Sequence, residues 1–93
     1  MASLTVNGAK SATNDGATVD TATFTNPITT VTVINRSASA WIWARADGTA
    51  PTVGGDDCYP VGPGGVLQIN STASPDAAML LADGTCPYTV AGV

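Results

Sequence analysis

The sequence contains no histidine and no glutamate; all seven of its acids are aspartate. Without an imidazole, catalysis by Ser–His or Cys–His pairs is excluded. A zinc site takes four nitrogen or sulfur ligands, and two cysteines alone do not supply them. Cations are almost as scarce. Lys10, Arg36 and Arg45 are the whole set, scattered along a chain of formal net charge −4. Nucleic acid is bound by clustered Lys and Arg that neutralise phosphates, and an anionic membrane attracts the same clusters, so neither partner is expected. No run approaches the roughly 18 apolar residues of a membrane span. The first seven residues have neither the basic start nor the apolar stretch of a signal peptide, so synthesis and assembly in a cytoplasm is the expectation. No stretch carries a helical period longer than a turn or two.

What is present is apolar and β-prone. Hydrophobic residues make up 44% of the 93, whereas charged ones make up 11%, about half the usual share. That balance is wrong for a disordered chain. It also leaves a surface rich in Thr, Ser, Ala and Gly, which suits a subunit in contact with neighbours. A chain this long forms one domain with one modest core. We read residues 1–93 as a single β domain in which 1–16 can form an extended N-terminal arm.

The densest stretch is 28–48. Ile28-Thr29-Thr30-Val31-Thr32-Val33-Ile34 and Ala40-Trp41-Ile42-Trp43-Ala44-Arg45-Ala46 are both rich in residues that fit a pleated surface, and they read as the two strands of a central hairpin. The second strand has two possible phases. In one, Trp41 and Trp43 enter the core and Ile42, Ala44 and Ala46 face out; large aromatics dominate small cores, which favours at least one buried Trp. In the other, Ile42 is buried and Trp41, Trp43 and Arg45 form an exposed interface of the kind Trp and Arg anchor, or a platform on which sugar rings stack.

Elsewhere the chain alternates short strands with Gly, Pro, Asn and Asp turns. Strands are expected at 3–6, 17–24, 58–61, 66–70 and 77–82, with a short helical turn at 75–78 as the alternative for the last. The tract 7–16 reads as turns, and a very short return strand is expected around Pro51. Ala82-Asp83-Gly84-Thr85-Cys86-Pro87 repeats Ala46-Asp47-Gly48-Thr49-Ala50-Pro51 with one change. Two hairpins needing the same turn explain it, since Asp-Gly is a strong hairpin signal. Strands every 8–12 residues with such turns indicate an all-β domain: a small antiparallel sandwich or barrel of about 7–8 strands, Ig-like or jelly-roll-like. No connection is long enough for a crossover helix, so only antiparallel pairing is expected.

The candidate sites are few. Asp56-Asp57 beside Gly54-Gly55 offers oxygens for calcium but lacks the loop spacing of a calcium site. Gly62-Pro63-Gly64-Gly65 lacks the Lys and helix of a phosphate loop. Cys58 and Cys86 have two readings. They are reduced thiols, or a disulfide closing the segment between them, worth roughly 3–4 kcal/mol through loop-closure entropy. No catalytic residue, metal or cofactor is expected.

Ile34-Asn35-Arg36-Ser37-Ala38-Ser39-Ala40-Trp41-Ile42-Trp43-Ala44-Arg45-Ala46-Asp47-Gly48 carries a pattern: a strand ending in Asn, a loop, then an aromatic strand ending in Asp-Gly. It continues through Gly54-Gly55-Asp56-Asp57-Cys58-Tyr59-Pro60-Val61-Gly62-Pro63-Gly64-Gly65-Val66 and closes on Tyr88-Thr89-Val90-Ala91-Gly92-Val93. Over these two-thirds the chain resembles small structural proteins of tailed bacteriophages, particularly those of actinobacterial hosts. The Cys pair and the N-terminal third stand outside the resemblance. It implies a virion component assembled in the host cytoplasm, most simply a capsid decoration (cement) protein. Its partners would be the major capsid protein or other virion subunits, and copies of itself, a trimer being one form. A minor head–tail or tail component, and a carbohydrate-binding module using Trp41 and Trp43, are the alternatives.

Overall fold

A computed structural model describes residues 2–26, 28–70 and 77–93. The described residues form nine strands: β1 (Ala2–Val6), β2 (Ala9–Asn14), β3 (Asp20–Phe24), β4 (Thr30–Asn35), β5 (Ile42–Arg45), β6 (Tyr59–Val61), β7 (Val66–Asn70), β8 (Ala77–Ala82) and β9 (Cys86–Gly92). They make two sheets, ordered β1-β3-β8-β5-β6 and β2-β9-β4-β7.

Burial alternates along the strands. Ala22 and Phe24 of β3, Val31 and Val33 of β4, Ile42 and Ala44 of β5, Ala78 and Leu80 of β8, and Tyr88 and Val90 of β9 all point inward. This period of two sets the register, because a one-residue slip would turn each inward set to solvent. Each fully buried Val, Leu or Ile contributes about 1.5–3 kcal/mol relative to exposure.

The pairing is nested. β5 pairs with β6, β4 with β7, β3 with β8 and β2 with β9, all antiparallel. The eight strands are thus one long hairpin, with β5 and β6 at its tip, rolled so that successive rungs alternate between sheets. Contacts β4–β9 and β5–β8 close the roll. This is the jelly-roll form of the antiparallel sandwich expected from the sequence.

Rolling changes the local readings. β4 and β5 are not a hairpin: they lie in different sheets, and the segment between them arches across the core. The two Asp-Gly copies are not equivalent turns either. Asp83-Gly84 carries the chain from β8 in one sheet to β9 in the other, whereas Gly48 takes a left-handed φ of 83° in the long loop between β5 and β6. No strand forms at Pro51, which is fully buried in that loop.

The expectation of antiparallel pairing alone fails at one edge. β1 pairs parallel to β3, from Ala2 opposite Asp20 to Val6 opposite Phe24. The crossover that parallel strands need is supplied by β2, which runs back through the other sheet. The described residues of the expected 1–16 arm do not extend from the domain: they supply β1 and β2, the latter read from sequence as turns. The polar loop at 71–76 and part of the helical alternative at 75–78 lie outside the described residues.

Candidate interface on the first sheet

β5 is oriented by the width of the core. The wall it helps to form is built largely of alanine: Ala22, Ala44, Ala78 and Ala82 are all buried there with Ile42 and Leu80. Tyr88, the largest fully buried side chain, enters from the opposite sheet. The small residues make room for that ring beside Phe24, and an aromatic pair added from β5 would overfill a close-packed interior. The favoured placement of at least one Trp in the core is therefore incorrect. Ile42 and Ala44 take the inner positions, and Trp41 and Trp43 share the outer side, with Trp41 44% exposed.

The two indoles lie 6.4 Å apart between ring centroids, their planes inclined by 32°. Trp41 is fixed by its neighbours. Its backbone N–H donates to Asp83 Oδ1 at 3.0 Å, and the Asp83 backbone N–H donates back to the Trp41 carbonyl at 3.1 Å. Its ring lies over Gly62, where a Cβ would come within 3.2 Å of the indole. Trp43 stands opposite Leu81 of β8 on one side and Pro60 of β6 on the other. Arg45 stands opposite Met79. Leu81, Met79 and Pro60 thus extend a patch that sequence reading confined to Trp41, Trp43 and Arg45. The signal was the phase of Ala77–Ala82: with Ala78, Leu80 and Ala82 inside, Met79 and Leu81 must face out.

Arg45 is the cation of this face, and its charge is met locally. The guanidinium holds both carboxylate oxygens of Asp47, and Nη1 lies 3.8 Å from Asp57 Oδ2. The hydrogen bond from Arg45, then that from Thr49 N–H, holds the Asp47 carboxyl below the usual carboxylate range. The same bond with Asp47 raises the Arg45 pKa. The result is a largely apolar face with Arg45 paired to carboxylates at its rim.

Cys58 and Cys86 are not brought together. Both thiols are free. Cys86 is buried, and its Sγ donates to Asn35 Oδ1 at 3.2 Å. The Asn35 amide donates in turn to the Val61 carbonyl at 2.9 Å, which places Cys86 beside the C-terminal end of β6. Cys58 precedes the opposite end of that strand, three residues or roughly 10 Å away, where its sulfur accepts from Thr52 N–H at 3.3 Å. A bridge would require displacing β6.

The described residues hold no group of three or more metal-ligating side chains that could share an ion, and no helix long and apolar enough to cross a membrane. A hollow of about 220 Å³ opens at the far end of β9, against Val6, Phe24, Ile28 and Gly92. None of its lining side chains is titratable.

No family model matches the chain, and no curated protein matches it in sequence. Its fold matches solved structures. A de novo designed double-stranded β-helix superposes with a TM-score of 0.60 at 16% identity, over 91% of this chain and 97% of the design. PliG of Aeromonas hydrophila, a periplasmic inhibitor of g-type lysozyme, superposes with a TM-score of 0.60 at 16% identity, over 97% and 93%. PirA gives 0.55 at 14% identity over 95% of each chain. At such identities the likeness concerns the fold, which hosts unrelated functions. It agrees with the rolled topology.

Proposed function

We propose that this chain is a non-catalytic structural subunit of a tailed-bacteriophage particle, a decoration protein that docks on the outside of the head through the outer face of its first sheet. The observation that carries the reading is the pair of an exposed Trp41 and a half-buried Trp43 on one outer strand face, beside a cation already paired with carboxylates. Large aromatics held in place contribute binding energy at low entropic cost, and a cation already paired is not buried as a lone charge. The sequence resemblance to phage structural proteins supports the partner. The acidic net charge suits the outer side of a shell rather than the side facing packaged DNA. The chemical inventory supports a role without catalysis, since neither histidine nor glutamate is available as acid or base.

The test is quantitative analysis of purified particles followed by rebinding to particles stripped of the protein. A decoration role gives hundreds of copies per head, as an order of magnitude. Trp43→Ala and Trp41→Ala reduce rebinding at least tenfold while the fold, read by circular dichroism, is unchanged. A few tens of copies or fewer assigns the chain to a head–tail or tail position. Absence from particles, with binding to a glycan array that Trp43→Ala abolishes, replaces the reading with a carbohydrate-binding module.

A further inference from the structure

We propose that two copies of this chain pair antiparallel along the open edge of β7, with Gln68 on the two-fold axis. The inference concerns the second sheet and does not depend on the face that carries Trp41 and Trp43.

β7 is an outermost strand of its sheet. Asn35 N–H donates to the Gly65 carbonyl at 2.9 Å, and the register runs on from Ile34–Val66 to Thr30–Asn70. Hydrogen-bonding direction alternates along an antiparallel pair, so Leu67 and Ile69 turn their backbone groups toward β4. Val66, Gln68 and Asn70 turn theirs outward. Among the described residues nothing pairs with this row, and such a row is a template for another strand.

The other three edges differ. β6 spans only Tyr59–Val61 and carries Pro60, which has no N–H to give. β2 carries the exposed Lys10, and a charged side chain on an edge strand keeps sheet edges apart. β1 offers hydroxyls, exposed Ser3 and Thr5, to solvent on its outward side. β7 has no proline and no charge, and Val66 is 66% exposed beside Ile34 at 36%.

Two features select a second copy as the occupant. The first is charge. Two chains of net charge −4 repel unless they meet through a neutral surface. β7 and the outward residues of β4 beside it (Thr30, Thr32 and Ile34) are uncharged, whereas a basic partner would be drawn to the aspartates of the loops. The second is self-complementarity. Centring the pair on Gln68 sets Leu67 against Ile69 of the second copy, continuing the inner layer. Val66 then meets Asn70 of the second copy on the outer side. Each outward-turned residue exchanges an N–H and a C=O across the axis, and the contact is isologous and closed.

Sedimentation velocity of the full chain, from micromolar to near-millimolar concentration, tests the proposal. The wild type dimerises. Gln68→Lys and Gln68→Glu each weaken the dimer by about tenfold or more, because each sets two like-charged side chains directly opposite, on Cα atoms about 5–6 Å apart across the axis. An equimolar mixture of the two variants restores a dimer, now a heterodimer. Gln68 is exposed, so thermal unfolding confirms that both variants keep the fold. A wild type that stays monomeric overturns the proposal. So does a dimer indifferent to both variants, or a mixture that restores nothing. Opposite effects of the two variants would point to a partner of fixed charge and also overturn it.

Discussion

Asn14 and Asn35 stand on either side of β9, opposite Cys86 and Tyr88, and each ends its strand of the second sheet with a buried side-chain amide turned to the first. Asn14 donates to the carbonyls of Thr18 at 2.9 Å and Leu80 at 3.5 Å and accepts from the N–H groups of Gly16 and Ala82. Asn35 donates to the carbonyls of Ala40 at 2.8 Å and Val61 at 2.9 Å and accepts from Ser37 N–H and the Cys86 thiol. The pair joins the sheets at one end of the roll.

Removing either amide leaves several buried groups without partners, each costing about 1–3 kcal/mol. Asn35→Ala is expected to destabilise by about 3 kcal/mol, and Asn14→Ala by a similar amount, in urea unfolding. Asn35→Asp keeps the shape and one acceptor but loses both donors, so it is also destabilising. Stability unchanged in all three would remove the amides from the account.

Gly16 and Gly48 both take a left-handed φ, 79° and 83°, but in different surroundings. A Cβ at Gly16 would lie 2.7 Å from the Gly84 Cα, against backbone that cannot swing aside, whereas nothing lies within 4 Å of one at Gly48. Gly48→Ala therefore costs only the left-handed strain of an L-residue, about 1–2 kcal/mol. Gly16→Ala adds a backbone clash and is expected to cost about 3 kcal/mol or more. Equal thermal shifts for the two would contradict the close approach of the β2–β3 and β8–β9 links.

The two thiols should react differently. Cys58 is partly exposed and Cys86 is buried, its pKa raised first by burial and then by Asp83. Reactivity follows the accessible thiolate. A thiol reagent at neutral pH is expected to label one cysteine per native chain, lost in Cys58→Ser, and two after denaturation. Two unreactive sulfurs in denatured, unreduced protein would indicate a bridge instead.

Alkaline pH should unfold the domain through Cys86 and Tyr88. Burial, and then the hydrogen bond its hydroxyl donates to Asp20 Oδ2 at 2.8 Å, raise the Tyr88 pKa well above its ordinary 10.0; burial raises Cys86 above 9.0. Folding thus favours the protonated forms. The stability they contribute is complete below about pH 9 and falls above it, as the unfolded chain ionises first. Urea midpoints are expected to drop from pH 9 toward pH 11. Tyr88→Phe reduces the tyrosine part of that drop but leaves the buried Asp20 without its donor, at about 2 kcal/mol near neutrality. The double variant Asp20→Val/Tyr88→Phe should cost less than the sum of the single changes.

Much of the strand content was legible because period-two patterning is a local property: Val66–Asn70 and Ala77–Ala82 are strands as read. The links were not, because an arch between sheets and a hairpin within one use the same Asn, Asp and Gly chemistry. Asn35 looks like a turn residue and is a buried cross-sheet donor. β2 was hidden by its flanks, Asn7-Gly8 and Asn14-Asp15-Gly16, and by a burial pattern with only Asn14 inside. Which side of the strand Trp41 and Trp43 take was not legible, nor was their neighbourhood with Leu81, Met79 and Pro60. That depended on the alanine wall opposite Tyr88, a property of three strands distant in sequence.

The nested pairing also fixes when the molecule can form. β9, the last strand of the roll, lies in the middle of the second sheet between β2 and β4, and it brings Tyr88 into the core. Until it arrives, β2 has no neighbour in its sheet, β4 lacks one of its two, and the alanine wall has nothing to close against. A chain emerging from a ribosome therefore cannot complete its core domain-fragment by fragment. It must wait for its final strand, and then fold in a single slow step dominated by distant contacts.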